Sequence, residues 1–388
     1  MKDYKKIKYL LAFVVSSIVI FFSVATLCLP KKDYSENENR HLEEFPEFSF
    51  EELKSGQYVQ KLERYFTDHF LLRDSLMNLY ATVQKTEGVS EINGVYLADD
   101  GYLIEKNSEY KNLDKISDNF NQLYKKAKDK NVNMSVMLVP TSITFNESLL
   151  PKNAFYYSQQ EAKDTIKSTL SEELNFIEPF VKDDNGRFDE KYDIYQMFYK
   201  TDHHWTTYGA YFAYENYCKA LNLVPYKMDE YNIKVVSDSF YGTVFSKVND
   251  MSVKPDEIVC FEKDRNLNIM YQGGMSDSLY NESYLEQKDK YSFFLNNIND
   301  KIIIENKDIN NSKVLLVAKD SYANCFIPFL TDYYEKIIVL DTRYYMYGVS
   351  GLIEKENVTD ILLLFNMNTI DTDAAKNGIY KLIYPILL

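Results

Sequence analysis

The sequence predicts an α/β fold carried behind one N-terminal transmembrane helix. Near-continuous apolar runs, Lys313–Ala318 (KVLLVA), Lys336–Leu340 (KIIVL) and Ile361–Phe365 (ILLLF), alternate with helical stretches in the C-terminal third. That is the pattern of parallel strands covered on both faces. Upstream, Tyr9 to Leu29 is a run of 21 uncharged residues interrupted only by three serines and a threonine. A helix of that length is about 31 Å long, enough to cross a bilayer core.

Lys2, Lys5, Lys6 and Lys8 precede the apolar run. This places a tail of residues 1–8 in the cytoplasm and sends the rest across. Lys31 and Lys32 on the far side reduce the asymmetry. The run is longer than a signal-peptide core and has no clean small-x-small site at its end, which favours an uncleaved anchor. Cys28 follows Leu27, too large for a good lipidation site, and reads as a membrane-buried cysteine.

Residues 30–89 read as a juxtamembrane linker followed by two helices that pack on the main domain. The linker is charged from Asp33 to Arg40, Ser49 and Glu52 form a capping box, and apolar residues recur at helical spacing through Gln84. Residues 90–388 form one α/β domain. Val95–Leu97 and Tyr102–Ile104 flank an Asp-Gly turn as a hairpin. Leu113–Lys128 is an amphipathic helix, and Asn133–Val139 is a buried strand stopped by Pro140. Further helices are predicted over Ala162–Leu174, Tyr208–Leu221 and Tyr322–Thr331.

Net charge is −14, and no basic patch or RNA-binding signature is present, which excludes nucleic acid as a partner class. Cys218, Cys260 and Cys325 are too scattered for a disulfide scaffold. Thirty-four tyrosines could stack on sugars, although a compositional bias explains them as well.

Half of the four histidines are adjacent, in Thr201-Asp202-His203-His204-Trp205-Thr206. Histidine is the side chain best suited to proton transfer near neutrality, and an acid beside it can orient it. The only tryptophan is there too, marking a packed or substrate-facing pocket. A second cluster, Lys319-Asp320-Ser321-Tyr322, directly follows the KVLLVA strand, where open α/β sheets place their ligands. A helix starting there would favour a developing oxyanion. Ser321 with Asp202 and a histidine makes a candidate Ser-His-Asp triad.

The run TDHHWT, with Gly209-Ala210 after it and Ser321 in VAKDSYANCF, resembles the signature of the DHHW proteins. These are similar to the SGNH-type alginate O-acetyltransferases AlgX and AlgJ. The resemblance extends to ENR at Glu38–Arg40, ADDGYL at Ala98–Leu103 and LVPTS at Leu138–Ser142. It implies an SGNH-hydrolase-like domain, circularly permuted so that Asp and His precede Ser. Carried over residue by residue, it implies Ser321 as nucleophile, His204 as its base and Asp202 as the orienter of His204. In an extended segment residues i and i+2 share a face, so His203 points away to pack or touch substrate. Oxyanion donors would be the Ser321 amide, Gly242 in FYGTVF and Asn366 after the ILLLF strand. Trp205 joins the substrate-side residues. Lys319 stands where the family motif has glycine, which leaves the geometry of that turn open.

The implied function is O-acyl transfer, most simply of acetyl, to a surface or secreted polysaccharide outside the cell membrane. A membrane-bound O-acyltransferase would supply the acyl group, and no cofactor or metal would be needed. An esterase would use the same triad, and a non-catalytic scaffold of an export complex would not need it. Metal binding by Asp202, His203 and His204 with Asp68 and His69 is the remaining alternative.

Overall fold

The computed structural model describes residues 2–28, 31–35 and 40–385, and Leu29, Glu38 and Asn39 therefore lie outside the described residues. The chain divides into two units, residues 1–92 with 246–252 and residues 93–245 with 253–388.

The first unit is helical. Helix α1 (Lys2–Cys28) contains a 23-residue apolar stretch, Lys6–Cys28, long enough to cross a membrane. The expected pair of helices is three segments: Phe50–Ser55, α2 (Gln57–Asp68) and α3 (Arg73–Thr86). Gly56 at φ +83° breaks the first from the second, a backbone state that costs glycine little. Ser49 Oγ does cap the first segment, accepting from the Glu52 amide at 3.4 Å.

The second unit is built on an eight-stranded sheet. Its strands in chain order are β1 (Asn133–Val139), β2 (Asn175–Phe176), β3 (Leu267–Tyr271), β4 (Gly274–Ser276), β5 (Lys301–Asn306), β6 (Val314–Lys319), β7 (Lys336–Asp341) and β8 (Asp360–Asn366). Their spatial order is β4-β3-β5-β7-β6-β8-β1-β2. Strands β7, β6, β8, β1 and β2 run parallel. Every residue of β6 is buried, as expected of a strand covered on both faces.

The antiparallel edge β5-β3-β4 is not evident in the apolar runs. Strand β5 (KIIIEN) alternates buried with half-buried positions, so its apolar signal is broken by charge. A second antiparallel pair, Asn232–Phe240 with Asp256–Glu262, lies outside the main sheet.

Helices α4 (Leu113–Lys128), α5 (Gln159–Thr169) and α7 (Asp373–Ile383) cover one face of the sheet. There Phe120, Leu123, Ile166 and Ile379 pack with Val136, Leu316 and Leu363. Helix α6 (Thr207–Ala220) covers the other, with Trp205, Tyr214 and Phe329 against Met137, Val317 and Leu364. Helix α5 begins three residues earlier than its apolar spacing predicts, because Ser158 Oγ accepts from the Glu161 amide at 3.1 Å.

The predicted helix Tyr322–Thr331 is instead two 3-10 turns, Ser321–Asn324 and Ile327–Leu330. Pro328 has no amide hydrogen to donate. The segment is also buried all round, from Tyr322 to Leu330, so it lacks the polar face of a surface helix. No α-helix therefore starts at Ser321, and the expected helix field for an oxyanion is absent from that turn.

Candidate active site

Ser321 follows the last residue of β6 by two positions, between parallel neighbours β7 and β8. Asp320 fixes the turn. It is 1% exposed; its Oδ1 accepts from the Tyr322 amide at 2.9 Å, and its Oδ2 accepts from the Asn366 amide and Nδ2, each at 2.8 Å. Burial raises its pKa above the usual carboxylate range, against the pull of those donors.

Lys319, the departure from the family glycine, is also buried. Its Nζ donates to Asn324 Oδ1 at 2.7 Å and lies 3.3 Å from Asp341 Oδ2, and Arg343 grips that same carboxylate through Nε at 2.9 Å and Nη2 at 2.7 Å. Lys319 and Asp341 are register partners across β6 and β7. The Ser321 turn is thus pinned from both neighbouring strands.

The Thr201–Thr206 segment reaches Ser321 from the other side. Buried Asp256 anchors its start by accepting from Gln196 Nε2 (2.6 Å), the Lys200 amide (2.9 Å), the Thr201 amide (2.8 Å) and Thr201 Oγ1 (2.6 Å). Thr206 caps α6 at its end, accepting from the Gly209 amide at 3.3 Å. Between these anchors, His204 Nδ1 donates to Asp202 Oδ1 at 2.5 Å and its Nε2 accepts from Ser321 Oγ at 2.8 Å. A carboxylate only accepts, so a neutral ring that serves both partners carries its proton on Nδ1.

Asp202 and His204 meet through a local turn rather than along a strand face. The His204 amide also donates to Asp202 Oδ1, at 3.0 Å, an Asx-type closure from i to i+2. Asp202 Oδ2 accepts from the Thr243 amide at 2.8 Å and from Thr243 Oγ1 at 3.1 Å, which fills the carboxylate. Thr243 has no motif of its own and nothing in the sequence singles it out.

His203 lies outside the hydrogen bond to Ser321. Its Nδ1 is 2.7 Å from Thr243 Oγ1, its ring is 3.9 Å from that of His204, and a third of the side chain is exposed. Since the single Thr243 hydroxyl hydrogen goes to Asp202, His203 Nδ1 is the donor of that pair. Tyr291, also unmarked in the sequence, stacks on His204 with centroids 3.7 Å apart and planes at 11°. Its hydroxyl donates to the Ser321 carbonyl at 3.1 Å.

Burial pushes the His204 pKa down to about 4, helped by the charge of His203 and opposed by Asp202. Burial acts to raise Asp202, but the two imidazoles and its hydrogen bonds outweigh that and hold it well below the usual carboxylate range. At neutral pH the pair is therefore a carboxylate and a free base.

Three expectations are corrected: Gly242 and Asn366 as oxyanion donors, and Trp205 as a substrate contact. The Gly242 amide donates to Thr201 Oγ1 at 3.1 Å and is not available as an oxyanion donor. What the position requires is glycine's lack of a side chain, since a Cβ there would lie 2.2 Å from Asp202 Cβ and 2.3 Å from its Oδ2. Asn366 Nδ2 spends its hydrogens on Asp320 Oδ2 and on Thr369 Oγ1 at 2.6 Å, so it braces the Ser321 turn. Trp205 is fully buried and donates from Nε1 to the Tyr322 carbonyl at 2.8 Å, which removes it from substrate contact. Of the three expected oxyanion donors, the Ser321 amide alone has its hydrogen uncommitted among the described residues.

A cavity of about 400 Å³ opens beside this set, lined by His203, Asn366, Thr141, Asn368, Glu105 and Tyr110 among others. Asp202, His203 and His204 hold possible metal-ligand atoms within 4.8 Å of one another. Both His204 nitrogens are hydrogen-bonded within the site, Nδ1 to Asp202 and Nε2 to Ser321, so an ion bound there would have to displace one of those bonds. Within the first unit, Asp68 Oδ2 accepts from the Glu43 amide at 2.8 Å, and His69 Nε2 is 3.0 Å from the Glu43 carbonyl.

Fold and site together define an α/β protein whose serine, histidine and aspartate are arranged as in a serine-nucleophile centre. The family model of the DHHW proteins matches residues 80–340, and the chain belongs to that family. Among solved structures, a DHHW family protein from Eubacterium siraeum superposes with a TM-score of 0.64 at 21% identity, covering 75% of this chain and 96% of its own. Bacillus cereus PatB1, solved with a sulfonyl adduct, gives 0.59 at 20% identity, covering 73% and 97%. The O-acetyltransferase domain of Pseudomonas putida AlgJ aligns more loosely, at 0.43 and 12% identity, covering 75% and 98%. No curated protein matches the sequence.

Proposed function

We propose that this chain is an extracytoplasmic O-acyltransferase that moves an acyl group, most simply acetyl, onto a hydroxyl of a surface or secreted polysaccharide. The observation that carries the reading is the unbroken Asp202–His204–Ser321 hydrogen-bond chain, with His204 held as a neutral base. Ser321 Oγ attacks the donor's carbonyl carbon while its proton passes to His204 Nε2, and Asp202 stabilises the imidazolium. His204 returns the proton to the departing group, leaving an acyl ester on Ser321. In the second half, the acceptor hydroxyl gives its proton to His204 as its oxygen attacks the acyl carbon, and His204 returns that proton to the departing Ser321 Oγ. The Ser321 amide is the donor positioned for the oxyanion.

Strand order supports a circular permutation. Counted from the serine strand, β6, β7, β8, β1 and β2 become strands one to five, with spatial order 2-1-3-4-5. That is a doubly wound order whose ligand site lies between strands one and three, which here is the β6/β8 boundary beside Ser321. The sulfonyl adduct of PatB1 is consistent with a reactive nucleophile in a protein of this fold. Helix α1 supports anchorage in the cell membrane, with a membrane-bound O-acyltransferase as the source of acyl groups.

The test is partitioning. Purified protein is given an activated acetyl ester with and without a neutral oligosaccharide, and acetylated sugar is measured against free acetate. The reading expects acetyl on sugar to rise at the expense of acetate. Release of acetate alone, unaffected by any sugar, would mark a hydrolase.

A further inference from the structure

Helix α3 carries its apolar side outward. Leu72, Leu76, Leu79, Tyr80 and Val83 fall at i, i+4, i+7, i+8 and i+11, one stripe of a helix, and are 41% to 59% exposed. The opposite side is fixed. Ala81 is 1% exposed, Asn78 Oδ1 accepts from the Met251 amide at 3.2 Å, and Lys85 Nζ pairs with Asp250 at 3.0 Å. The helix is therefore held with its stripe facing out. An exposed apolar surface of this extent marks an interaction site.

Contacts with α1 identify what covers it. Phe70, at the α2–α3 corner, stacks on Phe22 of α1 with centroids 5.4 Å apart and planes at 13°, and the Leu71 amide donates to Thr26 Oγ1 at 3.4 Å. Phe22 precedes the end of α1 by six residues, about 9 Å along a helix axis. In-plane amphipathic helices bury their apolar faces about 5–10 Å into the headgroup boundary. The corner thus sits at the depth where such a helix lies.

We infer that α3 is an in-plane membrane contact whose Leu72–Val83 stripe rests in the lipid interface beside the end of α1. The inference rests on α1 being a membrane span, and its ligand is the lipid surface itself.

The test uses the full chain in phosphatidylcholine vesicles, in a Cys28→Ser background whose remaining cysteines, Cys218, Cys260 and Cys325, are buried, with one added cysteine at Leu79→Cys or Asp74→Cys carrying an environment-sensitive fluorophore. The label at 79 should emit to the blue, lose most of its emission to lipids brominated near the interface and resist aqueous iodide. The label at 74 should show the reverse. If the protein does not float with vesicles after carbonate washing, the anchor itself fails. If it floats but the label at 79 is quenched by iodide like that at 74, the in-plane contact is wrong while the anchor stands. Protection at 79 in native membranes but not in lipid vesicles would assign the stripe to a protein partner and overturn the lipid proposal.

Discussion

Gly242→Ala probes the site at a residue that touches neither substrate nor the serine. The new Cβ would stand 2.2 Å from Asp202 Cβ, 2.3 Å from Oδ2 and 2.6 Å from Cγ, where ordinary contacts begin at 3.4 Å. One of the two must move by about 1 Å, the difference between 3.4 Å and 2.2 Å. Overpacking of this kind costs about 1–3 kcal/mol of stability. Asp202 is held by both the Thr243 amide and the His204 ring, so a shift that spares one bond strains the other. Misplacement by about 1 Å at a catalytic group costs about 100-fold in rate. The amide survives in alanine, so its bond to Thr201 is not what is lost. The assay is kcat/KM on p-nitrophenyl acetate beside a thermal unfolding curve. We expect a folded protein with activity down by about two orders of magnitude. A folded variant with wild-type kcat/KM would refute the close-approach argument.

With His204 at a pKa of about 4, roughly 90% of it is neutral at pH 5, against roughly 3% for an unperturbed histidine. The acid limb of kcat/KM should therefore fall well below pH 6; a limb near 6.5 would contradict the burial account. The same shift has a stability sign: the unfolded chain binds the proton more readily between pH 6.5 and about 4, so stability should fall on acidification through that window. Ser321→Ala and His204→Ala should each cut turnover by about 10³-fold or more, and the double variant should lose no more than either alone. His203→Ala should retain measurable turnover, since it lies off the bond to Ser321. Asp256→Ala strands the donors of Gln196, Lys200 and Thr201 and should lower unfolding free energy by about 2–5 kcal/mol, seen as a reduced denaturant midpoint.

The sequence exposes what is local and leaves hidden what the fold assembles. KVLLVA, KIIVL and ILLLF are legible as strands because burial on both faces leaves them apolar throughout, whereas β5 mixes charge into its run and escapes notice. The scarcity of histidine makes Asp202 and His204 stand out, and position after a central strand singles out Ser321. Spacing along a strand points to Asp202 with His204 for a different reason from the Asx-type turn that brings them together. Thr243, Tyr291 and Asp256 come from distant segments and carry no motif, so only tertiary contacts reveal them. Gly242 and Asn366 are prominent as a glycine and a strand-end amide, but which group their hydrogens meet depends on Thr201, Asp320 and Thr369. The Tyr322–Thr331 stretch misleads because full burial, with Pro328 inside it, favours short tight turns over an amphipathic helix.

The most direct measurement is the site of covalent acylation. Protein quenched in acid within the first turnover of an activated acetyl ester is digested and its peptides are sequenced by mass spectrometry. The account predicts one acetyl group on Ser321, absent from His204→Ala and blocked by prior treatment with a sulfonyl fluoride. Turnover of the ester with Ser321 unmodified at every quench time, or retained in Ser321→Ala, would contradict it.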